Sequence, residues 1–170
     1  LHDALPIYYD HWQALKEVAA ATGVPTAAGR LETTITSDNA ASIALFTGLA
    51  RDHGTFLNLD MEDYKDLDLT IAVFTAILDQ EDMRGYEAGI VLQAYLPDAL
   101  PALERLIDFA VARRAAGGAP IKVRLVKGAN LAMEKVEAIM HGWEQAPYTA
   151  KADVDANYLR CVERALRPDD

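Results

Sequence analysis

A single cysteine, Cys161, stands in the whole chain, so no disulfide can close within it, and a reducing compartment is its natural setting. No apolar run reaches the ~20 residues of a membrane-spanning helix. The opening segment LHDALPI is too short and too acidic for a secretory signal. Histidine is scarce, with four residues, and no His/Cys/carboxylate spacing suggests a metal site. No Ser–His–acid arrangement is visible. Basic residues are outnumbered 16 to 26, giving a net charge of −10. That balance argues against nucleic acid or an anionic membrane as a general partner, because both reward basic surfaces, and it is explained by solubility alone. What the chain does have is apolar residues, 51% of 170, which suits one packed domain and argues against disorder.

The apolar residues are organised. Residues 8–21 read as a helix with Trp12, Leu15 and Ala19 on one stripe, ended by Gly23 and Pro25. LETTIT, within Ala27–Thr36, is ambiguous and polar for a buried strand. Asp38 or Asn39 can cap a helix that carries Ile43, Phe46 and Ala50 on one face, and His53-Gly54 closes it. Three short apolar runs then recur: Thr55–Met61, Ala88–Leu96 and Ile121–Val126. Between them, Leu67, Ile71, Phe74 and Leu78, and later Leu100, Leu103, Ile107 and Val111, fall at helical spacing. A helix from about Leu131 to His141 follows, then the loop GWEQAPYTAK. The last helix has Val154, Tyr158, Cys161 and Ala165 on one side.

The three runs are near-continuously apolar, the pattern of strands covered on both faces by crossover helices. Asp60 and Gln93 lie 33 positions apart, and Gln93 and Arg124 lie 31 apart. A strand–helix unit of about 30 residues is the rhythm of a parallel α/β fold. Without a glycine-rich turn after any of the three strands, a doubly wound nucleotide fold is the weaker choice. A barrel, which places its chemistry at the carboxyl ends of its strands, is favoured. A full barrel needs about eight units and ~250 residues. This chain is therefore expected to be a partial (β/α)8 TIM-type barrel of about three to four consecutive strand–helix units, a single incomplete domain over residues 1–170.

Polar residues at the strand ends are the candidates for chemistry. Asp60 ends the first strand within the acidic run Asn58, Asp60, Glu62, Asp63; it reads as a helix cap in a solvated loop, or as an anchor or general base. Gln93 interrupts GIVLQAYL, and a buried amide without partners costs roughly 1–3 kcal/mol. It must bond either within the barrel or to a polar heterocycle. Arg124 interrupts IKVRLV, where a guanidinium cannot sit unpaired. The simplest partner is Asp60 on a neighbouring strand, and a buried charge pair at strand ends marks a site. Lys127 stands at the strand exit before Gly128-Ala129, where small residues let a ligand approach the backbone, and the helix starting near Leu131 directs its positive end there. Two cations, a glycine and a helix start favour an anionic cofactor without naming it. His141, Trp143 and Tyr148 read as structural, with Trp143 and Tyr148 covering the core edge. Lys151, Asp153 and Asp155 read as helix-start charges.

Four segments in order, FLNLDMED (56–63), GIVLQAYLPD (89–98), KVRLVKGAN (122–130) and YTAKADVDANY (148–158), resemble the proline dehydrogenase family, and most nearly the proline dehydrogenase part of bacterial bifunctional proline-catabolic enzymes. The likeness runs from about residue 56 to 166; residues 1–50 are divergent. It implies a distorted eight-stranded barrel holding FAD, which oxidises L-proline to 1-pyrroline-5-carboxylate by hydride transfer to the flavin N5 and passes electrons to a quinone. By resemblance Asp60 and Arg124 are catalytic, Arg124 lying near N5 where negative charge builds on reduction. Met61, Gln93, Arg124, Lys127, Gly128 and Ala129 match flavin-contacting positions.

The resemblance implies an aldehyde dehydrogenase domain in the same longer polypeptide, and a cytoplasmic location or a peripheral one at the inner membrane. It departs from the family in three places. Asn130 stands where a tyrosine usually walls the substrate. LETTIT offers no match to the substrate lysine. The threonine–histidine flavin segment and the paired arginines for the proline carboxylate would lie beyond Asp170. On that ground the segment is not expected to turn over proline by itself. Two rivals stand beside this reading: another barrel enzyme in which Lys127 forms a Schiff base as in an aldolase, and a non-catalytic barrel remnant.

Overall fold

The structure is a computed structural model that describes residues 40–61 and 63–167, with side chains from Ile43 onward. The expected helix over 8–21, the LETTIT segment and the capping residues Asp38 and Asn39 lie outside the described residues. The chain divides into two compact units, residues 1–57 and 58–170. Of the first, the structure describes helix α1, Ala40–Asp52, whose Ile43, Phe46 and Ala50 are buried as their spacing requires. Its end is closed by Gly54 at φ 64°, whose N–H bonds the Arg51 carbonyl; only glycine takes that conformation without penalty.

The second unit follows the alternating rhythm read from the sequence. Strand β1, Leu57–Leu59, is followed by a 3₁₀ turn, Tyr64–Asp66, and helix α2, Leu67–Leu78. A further 3₁₀ turn, Glu81–Met83, leads to strand β2, Ala88–Gln93, and helix α3, Ala99–Ala115. Strand β3, Ile121–Val126, helix α4, Leu131–His141, and helix α5, Lys151–Leu166, complete it. The strands form one sheet in the order β1-β2-β3. Strands β2 and β3 are parallel, with Val91 opposite Arg124 and Gln93 opposite Val126. Parallel neighbours joined through α3 make a β–α–β unit, and the segment is a partial TIM-type barrel.

The strands are not equally covered. Every residue of β2 is buried, as expected for a central strand clothed on both faces. On β3 the buried-in-both-faces expectation fails: Lys122 and Arg124 are exposed while Ile121, Val123 and Leu125 are half-buried. Side chains alternate across a strand, so β3 half-buries the row of Ile121, Val123 and Leu125 and exposes Lys122 and Arg124 on the other. The sequence could not separate these cases, because Val and Leu between the charges serve either environment. The first strand is also shorter than the run Thr55–Met61.

The run Ala88–Leu96 likewise ends as a ladder at Gln93. Residues 94–96 are fully buried but form a turn, closed by the Leu96 N–H on the Gln93 carbonyl at 3.2 Å. Apolar content predicted burial there correctly and strand geometry wrongly.

Helix α3 is rotated relative to its expected stripe. Ala99, Ala102, Leu103 and Leu106 are buried, and Val111 is 46% exposed. The rotation places Arg113 inward, at 8% exposure. Its Nε donates to the Ala119 carbonyl at 2.9 Å, one terminal nitrogen to the Leu78 carbonyl, and the other is shared among the carbonyls of Met83, Arg84 and Tyr86 at 2.8–3.1 Å. Those carbonyls end helix α2 and form the turns before β2 and β3, so one planar fork satisfies the chain reversals opposite the strand ends. Burial pushes the guanidinium's pKa down, the neighbouring Asp79 opposes this, and the group remains a cation. Arg113→Met should lower unfolding free energy by roughly 2–4 kcal/mol, since it strands several buried acceptors. Arg113→Lys should recover only part, because an ammonium cannot span the fork. Urea unfolding followed by circular dichroism measures both.

Candidate active site

All the residues singled out at the strand ends lie within the unit that begins at residue 58. The structure brings Asp60 and Arg124 together: Arg124 Nη2 donates to Asp60 Oδ2 at 2.9 Å, and Asn58 Nδ2 to Asp60 Oδ1 at 2.5 Å. The partner is the one the sequence suggested, although it lies just past β1, which β2 separates from β3, rather than on a neighbouring strand. The burial is not, since the two side chains are 54% and 57% exposed. Arg124 shares its side-chain row of β3 with exposed Lys122.

Gln93 is 3% exposed. Its Nε2 donates to the Met61 carbonyl at 2.8 Å, and its Oε1 accepts the Ala129 N–H at 3.3 Å. The amide thus joins the segment after β1 to the turn after β3, and protein partners already account for its burial. Met61 is buried, at 5% exposure, with its carbonyl committed to Gln93.

Lys127 goes the other way. One residue past β3, it falls on the side-chain row opposite Arg124. Its Nζ donates to Asp155 of helix α5 at 2.5 Å and lies 5.6 Å from the centre of the Tyr158 ring. Lys151, one turn earlier on α5, also binds Asp155. Hydrogen bonds from the two ammonium groups hold the Asp155 carboxyl below the ordinary carboxylate range. The residues read as helix-start charges therefore include the partner of Lys127. Trp143, expected over the core edge, is instead 62% exposed and stacks on His141 with ring centres 4.4 Å apart. Tyr148 is half-buried, and its N–H bonds the Tyr95 carbonyl at 2.8 Å.

Gly128 has φ 138°, and a Cβ built there would fall 2.4–2.7 Å from the ring of Tyr95. Two independent reasons thus demand glycine: a backbone conformation that side chains disfavour, and a buried aromatic face pressed against it. Ala129 follows, then Asn130, whose carbonyl accepts the Glu134 N–H at 3.0 Å as helix α4 begins. Helix α4 starts at Leu131 as anticipated.

Two residues of this neighbourhood were not read as site residues. Tyr95 appeared only as one apolar letter of a strand. Asn157, 2% exposed on α5, donates through Nδ2 to the carbonyls of Ala94 and Leu96, both at 3.0 Å. A signal for it existed: an amide four residues before buried Cys161 on the apolar side of a helix needs buried acceptors.

A parallel α/β segment with a carboxylate–guanidinium pair at its strand ends defines the class: a barrel of the kind that works at its carboxyl face. The family model for proline dehydrogenase matches residues 5–170, and the chain belongs to that family. Its relatives include the bifunctional protein PutA of Escherichia coli (strain K12), 32% identical over 122 residues, covering 71% of this chain and 9% of that protein. The proline dehydrogenase of Deinococcus radiodurans is 32% identical over 118 residues, covering 69% of this chain and 31% of that protein. Among solved structures, proline utilization A (PutA) from Corynebacterium freiburgense is similar with a TM-score of 0.73 and 54% identity. That match covers 77% of this chain and 14% of the other. The chain thus spans between about a tenth and a third of the length of these relatives.

Two outcomes test this geometry. Gly128→Ala should destabilise by roughly 2–5 kcal/mol, combining backbone strain with overpacking against Tyr95, and Tyr95→Ala in the same chain should relieve the steric part, measured by a double-mutant cycle on unfolding. The Lys127–Asp155 tie contributes above the ordinary carboxylate value of 3.8, because the folded-state pKa is the lower one, and is lost as pH falls through that lowered value. Asp155→Asn should therefore lower the urea midpoint at pH 7 and have a smaller effect at pH 3.

Proposed function

We propose that this chain is a segment of the catalytic barrel of an enzyme that oxidises L-proline to 1-pyrroline-5-carboxylate with FAD. In this reading residues 1–170 belong to one barrel domain of a longer, bifunctional polypeptide that also carries an aldehyde dehydrogenase domain. Electrons pass on to a quinone, and the enzyme is cytoplasmic or peripheral at the inner membrane. The observation that carries the reading is the Asp60–Arg124 pair, held at 2.9 Å and half exposed at the strand ends. Family membership over residues 5–170 supports it.

The donor set suits a planar, anionic cofactor. A guanidinium offers a fixed fork of N–H groups, and beside it a glycine turn leads into the N-terminus of helix α4. When bound, FAD supplies the acceptor for the hydride leaving proline. Arg124 then provides positive charge where negative charge develops, and Asp60 fixes the guanidinium's direction while presenting a carboxylate to the substrate side. Met61, Gln93, Gly128 and Ala129 shape the floor: Gln93 locks the Met61 carbonyl and the Ala129 N–H into one plane of support. Lys127 adds positive charge near the turn, while its ammonium is engaged by Asp155 on α5. That engagement weighs against the aldolase alternative, which needs the amine free in the strand-end opening.

The test is a flavin absorbance spectrum of the full-length enzyme followed by anaerobic proline addition. A yellow enzyme that proline bleaches is expected. Arg124→Ala should slow bleaching by about 10²–10³-fold, the size found when one preorganised charge-stabilising donor is removed. An enzyme with no flavin, or one bleached at the wild-type rate after Arg124→Ala, would sink the reading.

A further inference from the structure

The turn at residues 94–96 belongs to neither strand nor helix, yet all three residues are at most 3% exposed. Two of its N–H groups reach the β3 side: Ala94 donates to the Val126 carbonyl at 2.7 Å and Tyr95 to the Lys127 carbonyl at 2.6 Å, while Leu96 closes the turn on Gln93. Its carbonyls face away from β3 and need other donors, since buried carbonyls are rarely left unpaired. Two of the three, Ala94 and Leu96, receive the same side-chain amide, Asn157 of helix α5. The third, that of Tyr95, receives the Tyr148 N–H.

What this turn holds is the ring of Tyr95, and the ring is what Gly128 packs against. On the other side of the same turn, Ala129 N–H is held by Gln93 Oε1. The backbone at 128–129 is thus clamped between the Tyr95 ring and the Gln93 amide.

We infer that Asn157 is a positioning residue for the strand-end site: by fixing the carbonyls of Ala94 and Leu96 it seats the Tyr95 ring under Gly128, and so sets the backbone of Gly128 and Ala129 where a cofactor would meet it. Its two hydrogen bonds go to carbonyls of the turn, so it acts on the site residues through that turn. The cofactor part of this inference rests on the functional reading above; the mechanical part does not. A side chain of similar volume without donors, as in Asn157→Leu, leaves the Ala94 carbonyl without its side-chain donor, whereas the Leu96 carbonyl keeps the Ala99 N–H at 3.1 Å. The damage is therefore expected to be local and transmitted through Tyr95.

The experiment uses the full-length enzyme and two readouts. Amide hydrogen exchange at Ala129 should accelerate at least about tenfold in Asn157→Leu relative to amides within helix α3, as local opening replaces a fixed turn. The dissociation constant for FAD should rise by a similar factor with an altered visible circular dichroism band. Combining Asn157→Leu with Tyr95→Leu should add little on the logarithmic scale, because both act by one route. Asn157→Ser, which keeps one donor, should lie between and serves if the leucine variant does not fold. A variant with lower thermal stability but unchanged Ala129 exchange and FAD affinity overturns the inference, as do fully additive effects in the double variant. A wild-type enzyme that binds no flavin removes the functional reading and the cofactor part with it, while Ala129 exchange still decides the mechanical part.

Discussion

The buried amide of Gln93 is the constraint on which the strand ends depend. Strands β2 and β3 finish in register, Gln93 opposite Val126, and strand ends leave backbone groups that no ladder satisfies. Gln93 takes a carbonyl from the segment after β1 and an N–H from the turn after β3, while its own strand lies between them. One side chain with an acceptor and donors can do this; an apolar residue would leave two backbone groups unmet at roughly 1–3 kcal/mol each. Its place inside an otherwise apolar run follows from that need. So does the relative height of Asp60 and Arg124, which are carried by the segments that Gln93 ties together.

Alternation along β3 and its exit separates two kinds of cation. Arg124 stands on the exposed row and binds Asp60, and Lys127 stands on the other row and binds Asp155. Four residues of sequence thus send one charge toward Asp60 and the other toward helix α5. The glycine that follows Lys127 turns the chain sharply enough, at φ 138°, that helix α4 begins only three residues later. Helix α5 then closes the arrangement from outside, with Asp155 on the lysine and Asn157 on the turn after β2.

The bounds of β3 and α4 and the Asp60–Arg124 partnership were legible in the sequence because each has a local cause: β-branched content, helix spacing, and an arginine inside an apolar run that needs a carboxylate. Burial of residues 94–96 was legible for the same reason, but not their geometry. A buried turn and a buried strand have one composition, and only the hydrogen bonds from Asn157 and Tyr148, some sixty and fifty residues away, distinguish them. Arg113 was hidden by a related ambiguity. An arginine in the last turn of a helix usually faces water and the helix dipole, and nothing local announces that five carbonyls from three separate turns converge on it. Asn157 was hidden among the charges of its helix. Such residues satisfy acceptors supplied by distant parts of the chain, so no pattern in their own segment reveals them.

The two arginines show why exposure, more than charge, separates support from chemistry here. Arg113 is buried and spends its whole donor fork on backbone carbonyls, so removing it would unbalance several chain reversals; its role is complete without a ligand. Arg124 is half exposed, and a pair exposed to that degree contributes only about 0–1 kcal/mol to folding. Stability therefore does not explain a guanidinium near the end of a β-strand, where a β-branched residue would serve the sheet better. Nor does solubility, since the chain already carries 42 charged residues. What the position does provide is a half-exposed cation held by a carboxylate that Asn58 also binds. Neither folding nor solubility accounts for the exposed pair, which leaves binding as the role we propose for it.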